Sequence, residues 1–426
     1  MNSYHIWTIG CQMNKADSER LASALEQLGL HETQAPGDAD VVVLNSCVVR
    51  QSAEDKVVST LGSLKPLKAR NPDRVLALMG CMVGPRTEEL TTRFPHVDAF
   101  MRPQQYGPLL DLLGERMGLD WEGCVGNLTP PRPSVSSHIP IIHGCDLMCT
   151  FCIIPYRRGR QVSRPIPDIV SEVEHLAARG VREVTLLGQT VDAYGHDLPG
   201  KPDLADLLYA LNPVEGLARI RFLTSHPIFM TQGILSAVAE LDKVCEHINL
   251  PVQAGDDQVL TNMRRRYTER NYRDLIDTIR STVPHVSLGT DVIVGFPGET
   301  REQYQRTLDL VKDIQFNKVH VAAYSTRPGT IAHRQMPDDV PQEEKDYRLK
   351  NLDAVQEGIL SRNNALLLGE TVEVLVESLT KGKWRGRTRS DKLVFFQDEA
   401  DHLGELMNVR VTKTSPWSLQ GMPVGA

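Results

Sequence analysis

The sequence lacks the features that mark membrane proteins, secreted proteins and strongly basic nucleic-acid-binding proteins. No stretch of its 426 residues is apolar over the length that a membrane-spanning helix needs. The first residues, MNSYHIWTIGCQMN, have neither the basic start nor the apolar run of a signal peptide. The net charge of −7 excludes binding of nucleic acid through overall charge, so any RNA contact requires a local basic patch. We therefore expect a cytoplasmic protein with no membrane partner.

Cysteine is scarce, with 8 residues in the chain, yet three of them stand close together. The stretch HGCDLMCTFC contains Cys145, Cys149 and Cys152. Clustered cysteines in a reducing compartment bind metal or do redox chemistry more often than they form disulfides. This trio is therefore the first candidate for a metal centre.

Short apolar runs that alternate with amphipathic stretches predict an α/β fold in three parts. Residues 1–124 show the pattern of a doubly wound parallel sheet. A Pro- and Ser-rich run marks a linker at residues 125–137. Residues 138–365 carry six strand–helix units, which favour a partial TIM-like (β/α)6 barrel. Residues 366–426 hold short alternating strands that predict a small β-barrel.

Thiolates at the spacing of the trio can ligate three corners of a 4Fe-4S cube. The cube has four irons, so three protein ligands leave one iron open to an incoming molecule. Cys145 follows the first predicted strand of the barrel, where barrel enzymes place their chemistry. Structural zinc is the alternative, because it closes its tetrahedron with a fourth ligand and His143 could supply one.

Three further cysteines share one context, since Cys11, Cys47 and Cys81 each follow an apolar run, in WTIGC, VVLNSC and LALMGC. Their separations, 36 residues (11 to 47) and 34 residues (47 to 81), match one β-α-β crossover each. The carboxyl ends of parallel strands line the ligand crevice of an open sheet, so the three should converge on a second cluster site. Buried structural cysteines are the alternative. Cys124 and Cys245 lack this context, and we expect both to be structural.

The Cys-x3-Cys-x2-Cys spacing resembles the radical S-adenosylmethionine superfamily. The stretches GCQMNKADSE, NSCVVRQSAEDKV, MGCM and CTFCIIPYRRGRQVSRP are similar to its methylthiotransferases, and the resemblance covers essentially the whole chain. It implies an N-terminal cluster domain, a radical barrel and a C-terminal β-barrel called TRAM. It also implies two 4Fe-4S clusters and S-adenosylmethionine, whose cleavage to a 5′-deoxyadenosyl radical lets a methylthio group replace an unreactive hydrogen. The N-terminal cluster would supply or carry the sulfur.

The resemblance also implies where the barrel contacts S-adenosylmethionine, namely the loops that follow its strands. The candidate residues are Gln189, Ser225, Gln253 and Asp291. We expect His226, which follows Ser225, to be a packing or hydrogen-bonding residue. Thr190 and Ala254 stand where the family usually has Asn and Ser, so the pocket can differ in detail here.

Two basic stretches are candidates for phosphate contacts. PYRRGRQVSRP follows the trio, and its Arg157, Arg158, Arg160 and Arg164 suit RNA, a cofactor carboxylate or a solvated loop. KGKWRGRTRSDK near the C terminus combines positive charge with an aromatic ring for stacking, although a solvated strand face is the alternative. The predicted RNA-binding residues there are Lys381, Lys383, Trp384, Arg385, Arg387 and Arg389.

The family has branches with different substrates. GCQMN, together with Arg50 and Lys56, looks like the branch that inserts sulfur and a methyl group at C2 of N(6)-isopentenyladenosine beside the tRNA anticodon. The basic hairpin agrees, since a basic ribosomal protein would favour an acidic surface. We therefore predict a monomeric transferase that modifies tRNA and takes electrons from a separate donor. The alternatives are methylthiotransferases for threonylcarbamoyladenosine in tRNA or for a ribosomal-protein aspartate and, in another class, a noncatalytic RNA-binding protein with structural zinc.

Overall fold

The computed structural model describes residues 1–47, 51–123, 125–126 and 128–424. These residues form two compact units. The first consists of Met1–Arg132, His143–Leu147 and Cys152–Gln161. The second consists of Pro133–Ile142, Met148–Phe151 and the chain from Val162 onward. Within the described residues, every helix is too short or too polar to cross a bilayer.

The N-terminal part of the chain is a parallel sheet with helices between its strands. The strands occur in the order β2-β1-β3-β4-β5, and β3 and β4 are buried along their whole length, as expected of central strands covered on both faces. The strands are β1 (Ser3–Thr8), β2 (His31–Glu32), β3 (Val41–Ser46), β4 (Val75–Gly80) and β5 (Ala99–Met101). The helices are α1 (Gln12–Gln27), α2 (Gln51–Arg70), α3 (Glu88–Arg93) and α4 (Gly107–Met117).

The central part contains two parallel three-stranded sheets, with strand orders β10-β9-β6 and β11-β12-β13. Its strands are β6 (Ser136–Pro140), β7 (Ile142–His143), β8 (Val162–Ser163), β9 (Glu183–Leu187), β10 (Arg219–Phe222), β11 (His247–Asn249), β12 (Ser287–Val294) and β13 (Lys318–Ala323). Its helices are α5 (Ile154–Arg158), α6 (Ile166–Ala178), α7 (Leu204–Leu211), α8 (Gln232–Glu240), α9 (Asp257–Asn262), α10 (Glu269–Thr282), α11 (Arg301–Ile314) and α12 (Ile331–Gln335). Capping boxes begin three of these helices, at Asp203, Thr268 and Thr300, which explains where those helices start.

A long helix and a closed barrel complete the chain. Helix α13 (Gln342–Ala365) leads into five strands that close in the order β14-β15-β16-β18-β17. The strands are β14 (Thr371–Thr380), β15 (Lys383–Arg387), β16 (Leu393–Phe396), β17 (Leu406–Thr414) and β18 (Leu419–Pro423). Closure of the barrel pairs every strand edge, so no edge stays open for aggregation.

The turn after β15 docks onto the amino-terminal ends of the central strands. Arg221 of β10 donates to the carbonyl oxygens of Thr388 and Arg389, both at 2.6 Å. The Arg389 guanidinium in turn donates to Glu246, just before β11, at 2.7 Å. Ser287 at the start of β12 also donates to this turn, at 3.0 Å. The C-terminal barrel therefore lies at the end of these strands opposite to their carboxyl ends.

This architecture confirms the predicted fold class: a parallel α/β sheet, a partial barrel built from strand–helix units, and a small C-terminal β-barrel. The two compact units divide the chain differently from the predicted boundaries at residues 124, 138 and 365: the first unit includes His143–Leu147 and Cys152–Gln161, and the second joins the rest of the central part to the C-terminal part. Those boundaries stay a prediction.

Candidate functional site

The three N-terminal cysteines follow three neighbouring parallel strands. Cys47 comes directly after β3 and Cys81 directly after β4, whereas Cys11 follows β1 by three residues and immediately precedes α1. Because β1, β3 and β4 are adjacent in the sheet, the three cysteines lie along one edge. Cys47 and Cys81 are buried and Cys11 is exposed, so this edge is closed on one side and accessible on the other.

Side-chain amides hold these loop ends together. Asn14 accepts from the Cys11 thiol at 3.2 Å and donates to the Ser46 carbonyl oxygen at 2.9 Å. The same carbonyl accepts from the backbone N–H of Cys81 at 3.0 Å. A Cβ on Gly80 (φ +104°) would lie 2.3 Å from this oxygen, so only glycine lets β4 approach so closely. One carbonyl therefore links the loops of all three cysteines, since it belongs to the residue before Cys47.

A buried ion pair lies beside these cysteines. Arg158 Nη2 is 3.0 Å from Asp17 Oδ2, and both side chains are almost fully buried. Burial raises the pKa of the Cys81 thiol, while the nearby Arg158 guanidinium opposes that rise. Burial disfavours the charge on Arg158, but Asp17, Cys81 and Cys11 outweigh that effect, so the pKa of Arg158 is raised. The guanidinium therefore stays charged next to two of the three cysteines.

The second cysteine trio lies on the loop between β7 and α5. The backbone N–H of Cys145 donates to Gly159 at 3.1 Å, and a Cβ on Gly144 (φ +68°) would collide with the chain at Arg160. Cys145 and Cys152 pack at the margin of an apolar cluster that contains Cys81. This packing brings two members of the second trio to the apolar cluster that holds one member of the first.

The middle cysteine of this loop has a dedicated arginine. Arg265 Nη1 donates to Cys149 Sγ at 3.6 Å, and Arg265 is itself fixed by the Tyr267 hydroxyl and the Pro251 carbonyl oxygen, both at 3.0 Å. The next residue, Thr150, is held by bonds to the turn after α9, with Oγ1 donating to the Asn262 carbonyl at 2.8 Å. The Cys149 sulfur is therefore held against a buried guanidinium that three described contacts fix in place.

The carboxyl ends of β9 and β10 gather polar atoms that lack a partner among the described residues: Asp192 Oδ1, Ser225 Oγ and His226 Nε2. The backbone N–H of His226 donates to the other Asp192 oxygen at 2.8 Å, which brings the residues together. Burial raises the pKa of Asp192 to about 8 and lowers the pKa of His226 to about 2, so both side chains are mainly neutral at pH 7. A buried polar atom without a partner costs about 1–3 kcal/mol, which a polar ligand would remove. S-adenosylmethionine, with its amino, carboxylate and hydroxyl groups, fits this requirement.

Of the other residues predicted to contact the cofactor, Gln189 and Gln253 follow the carboxyl ends of β9 and β11, whereas Asp291 lies within β12. Gln189 is half-buried two residues after β9. Gln253 (φ +69°) forms an isolated bridge with Val292, and its backbone N–H donates to Asp291 at 2.8 Å. The structure therefore places Gln253 beside Asp291, and Ser225 beside His226. The sequence analysis missed Asp192 and Arg265. Asp192 lies in TVDAYG, shortly after β9, a position at which a polar residue could have been singled out, whereas Arg265 follows helix α9 and has no such signal.

Across the described ranges, no group of three or more His, Cys, Asp or Glu side chains surrounds a single metal ion. The thiolates of a 4Fe-4S cube bind different irons, so they stand farther apart than the ligands of one ion. The residues fit a cluster in chemistry: one set of three thiols follows adjacent strands, the other lies on one loop, and each set has a buried arginine beside one of its cysteines. Cys245 is buried next to Arg221, in agreement with a structural role. Arg50 and Cys124 lie outside the described residues.

The structure changes the interpretation of the basic C-terminal hairpin. Trp384 is only 6% exposed, packs in the barrel core and donates through Nε1 to the Ala400 carbonyl at 3.1 Å. It does not offer the predicted stacking surface, because strand alternation points it inward between its basic neighbours. Arg387 pairs with Asp391 at 2.9 Å, and Arg389 is bound to Glu246. Of the predicted RNA-binding set, Lys381 is exposed, and Lys383 and Arg385 are half-buried.

Three family models match successive parts of the chain. A model described as "Uncharacterized protein family UPF0004" matches residues 3–102, the Radical SAM superfamily matches residues 139–311, and the TRAM domain matches residues 365–424. These matches follow the three structural parts in order. Radical SAM membership implies S-adenosylmethionine and a 4Fe-4S cluster in the central part.

The fold of the protein is similar to solved radical S-adenosylmethionine enzymes. The methyltransferase TsrM from Kitasatospora setae, solved with cobalamin and a [4Fe-4S] cluster, superposes with a TM-score of 0.59 at 14% identity, covering 78% of this chain and 77% of TsrM. The cobalamin-dependent radical enzyme OxsB superposes with a TM-score of 0.52 at 13% identity, over 84% of this chain and 56% of OxsB. At these identities the likeness concerns the fold alone.

Curated relatives extend over nearly the whole chain. A protein of Roseiflexus sp. (strain RS-1) is 51% identical over 423 residues, which are 98% of this chain and 89% of that protein. A protein of Herpetosiphon aurantiacus is 49% identical over 428 residues, 100% of this chain and 98% of that protein. Both relatives are named tRNA-2-methylthio-N(6)-dimethylallyladenosine synthase. Identity at this level along nearly the whole chain confirms the resemblance to methylthiotransferases. This chain belongs to the family of tRNA-2-methylthio-N(6)-dimethylallyladenosine synthases, within the radical SAM superfamily.

Proposed function

We propose that the protein is a tRNA methylthiotransferase that inserts sulfur and a methyl group at C2 of N(6)-isopentenyladenosine, also called N(6)-dimethylallyladenosine, beside the anticodon. The observation that carries this proposal is the presence of two sets of three cysteines, one after adjacent strands of the N-terminal sheet and one on the loop after β7. The names of the relatives supply the substrate. The proposal includes two 4Fe-4S clusters, one held by Cys11, Cys47 and Cys81 and the other by Cys145, Cys149 and Cys152.

When bound, the central cluster and S-adenosylmethionine would supply the radical chemistry that an unreactive C–H bond requires. The chain's own residues bind, orient and shield the reactants. Arg265 holds Cys149 in place, and the neutral side chains of Asp192 and His226 offer buried hydrogen bonds to the cofactor. Ser225 would add a hydroxyl on the same side, with Gln189, Gln253 and Asp291 as further proposed contacts.

The tRNA contact is proposed for the exposed end of the β14–β15 hairpin. Lys381 lies in the turn and Lys383 begins β15, so both residues lie at the end of β15 opposite to the docked turn. Arg385 is the third proposed contact. A cytoplasmic, monomeric enzyme with a separate one-electron donor completes the proposal, and the tRNA named for the relatives supports that compartment.

The decisive experiment is mass spectrometry of tRNA nucleosides from a strain that lacks the gene. We expect 2-methylthio-N(6)-isopentenyladenosine to disappear and unmodified N(6)-isopentenyladenosine to accumulate, with both restored by the intact gene. Unchanged methylthio nucleoside would contradict the proposal. Loss of the methylthio form of threonylcarbamoyladenosine instead would assign the alternative tRNA branch.

Metal content separates the proposed enzyme from a zinc-containing RNA-binding protein. After anaerobic reconstitution with iron and sulfide we expect about eight irons per chain, from two four-iron clusters. A colourless protein that retains zinc would instead support the noncatalytic alternative.

A further inference from the structure

The buried Arg158 has one terminal nitrogen without a well-aligned acceptor. Nη2 pairs with Asp17 at 3.0 Å, and the carbonyl of Asp17 is fixed by the Tyr106 hydroxyl at 3.1 Å. Nη1 is buried and lacks a well-aligned hydrogen-bond acceptor among the described residues, while the Cys81 thiol lies within hydrogen-bonding range of the guanidinium. The guanidinium lowers the pKa of the Cys81 thiol, and Cys81 and Cys11 in turn help to raise the pKa of Arg158, so Arg158 lies close to both cysteines. A buried donor of this kind requires an acceptor close to those two sulfur atoms.

Arg158 belongs to the segment that carries the second cysteine trio, but its side chain lies beside the first. Arg158 ends α5, six residues after Cys152, yet its side chain reaches the edge of the N-terminal sheet. Ile153 and Ile154 of the same segment pack in the apolar cluster that contains Cys81. The helix is therefore anchored by apolar contacts, which deliver one rigid guanidinium to the first cysteine set.

We propose that Nη1 of Arg158 donates a hydrogen bond to a sulfur atom of the cluster held by Cys11, Cys47 and Cys81. The inference rests on the proposed second cluster and assigns Arg158 as a positioning residue for it. A hydrogen bond and a positive charge at a cluster stabilise the reduced form, which carries one more negative charge. Arg158 therefore raises the reduction potential of the N-terminal cluster.

The test measures this potential in the full-length protein without the second trio. In a background with Cys145, Cys149 and Cys152 replaced by Ala, about four irons per chain report the N-terminal cluster alone. Its potential is measured by redox titration with dithionite and mediator dyes, read by electron paramagnetic resonance. We expect Arg158→Gln to lower the reduced-to-oxidised ratio at fixed solution potential about tenfold, equivalent to about 59 mV for a one-electron couple.

The matched control is Arg160→Gln in the same background. Arg160 lies two residues away, pairs with Asp146 at 2.7 Å and has an 87% exposed side chain, so water screens its charge. We expect its substitution to leave the potential unchanged. An Arg158→Gln protein that binds four irons at the potential of the Arg160→Gln control would overturn the inference.

Two other outcomes are also decisive. If Arg158→Gln binds no iron, the potential is measured in Arg158→Lys instead. Lysine keeps the positive charge but lacks the planar arrangement of donors. If the Lys variant binds iron and its cluster has a lowered reduction potential, the result supports the hydrogen bond. Loss of iron from both variants overturns the inference, because Arg158 would then be needed for the site to form at all. Absence of iron from the background protein with Arg158 intact would mean that the proposed second cluster itself is wrong, a result distinct from an unchanged potential.

Discussion

Two buried arginines occupy closely similar surroundings in the two compact units. Arg158 pairs with the buried Asp17 next to Cys81, and Arg221 pairs with the buried Glu183 next to Cys245. In both places burial raises the pKa of the thiol, to about 11 at Cys245, and the guanidinium opposes the rise. By residue type alone the two places are the same: an arginine, a carboxylate and a cysteine.

The two arginines differ in what accepts their hydrogen bonds. Each nitrogen of the Arg221 guanidinium has a protein acceptor: Nε bonds to Glu183 at 2.9 Å, and Nη1 and Nη2 bond to carbonyl oxygens of the docked C-terminal turn at 2.6 Å. Nη1 of Arg158 lacks a well-aligned acceptor among the described residues. Cys245 is a lone cysteine, whereas Cys81 belongs to a set of three at adjacent strand ends. Complete protein acceptors indicate a structural arginine, and an incomplete set beside several thiols indicates a ligand site.

The largest expected difference between the two regions concerns iron. Cys81→Ala should reduce the iron content from about eight to about four per chain and abolish the methylthio product, because the remaining two thiols cannot hold a cluster. Cys245→Ala should retain all the iron. Iron quantification after anaerobic reconstitution, together with nucleoside analysis of reacted tRNA, provides the measurement. Equal iron loss in both variants would remove the distinction.

The next effect is on stability. Arg221→Met should lower the free energy of unfolding by about 3–5 kcal/mol, because it leaves the carboxylate of Glu183 buried without a cation. The measurement is urea unfolding followed by circular dichroism, with each transition fitted separately, because a chain with several domains need not unfold in one step. The double variant Arg221→Met with Glu183→Met should recover most of the loss, since an apolar pair carries no buried charge. A loss below about 1 kcal/mol in the single variant would mean that Arg221 is not an anchor of the C-terminal barrel.

The smallest expected effect concerns tRNA binding, and it distinguishes the lysines at the start of β15 from the arginine in the docked turn after β15. Replacing both Lys381 and Lys383 with Gln should flatten the salt dependence of tRNA binding by about two units of slope, one for each lost phosphate contact. Arg389→Gln should leave the slope unchanged, because that guanidinium is bound to Glu246 rather than presented to RNA. Filter binding across a range of salt concentrations checks both variants. A reduced slope with Arg389→Gln would extend the RNA surface onto the docked turn.

Much of the candidate site was predictable from the sequence, because its cysteines are either close together in the chain or follow successive strands of one sheet. The trio at Cys145, Cys149 and Cys152 needs only its spacing to be recognised. Cys11, Cys47 and Cys81 are far apart in sequence, yet each follows an apolar run, and parallel strands bring such positions to one edge. The C-terminal barrel was predictable from short strands with alternating polarity. The same alternation places Trp384 inside the barrel, but the basic residues on either side led to the wrong prediction that Trp384 is exposed.

Residues that act through distant contacts could not be predicted. Arg158 looked like one member of a basic loop, and only packing of α5 shows that it is buried against Asp17, 141 positions earlier in the chain. Arg265 likewise reaches Cys149 across 116 positions. No spacing rule connects such pairs, because their separation in the chain depends on helices and loops of arbitrary length.

The sequence by itself determined which atoms are available for chemistry: six thiols in two groups, strands to carry them, and two short stretches rich in arginine and lysine. The tertiary structure alone decided which charged side chains pair with groups of the protein itself and which keep a donor or acceptor for a ligand. The physical reason is that a charged group is satisfied or not by its neighbours in space. Those neighbours are fixed when strands and helices pack, a step in which residues more than a hundred positions apart become hydrogen-bond partners.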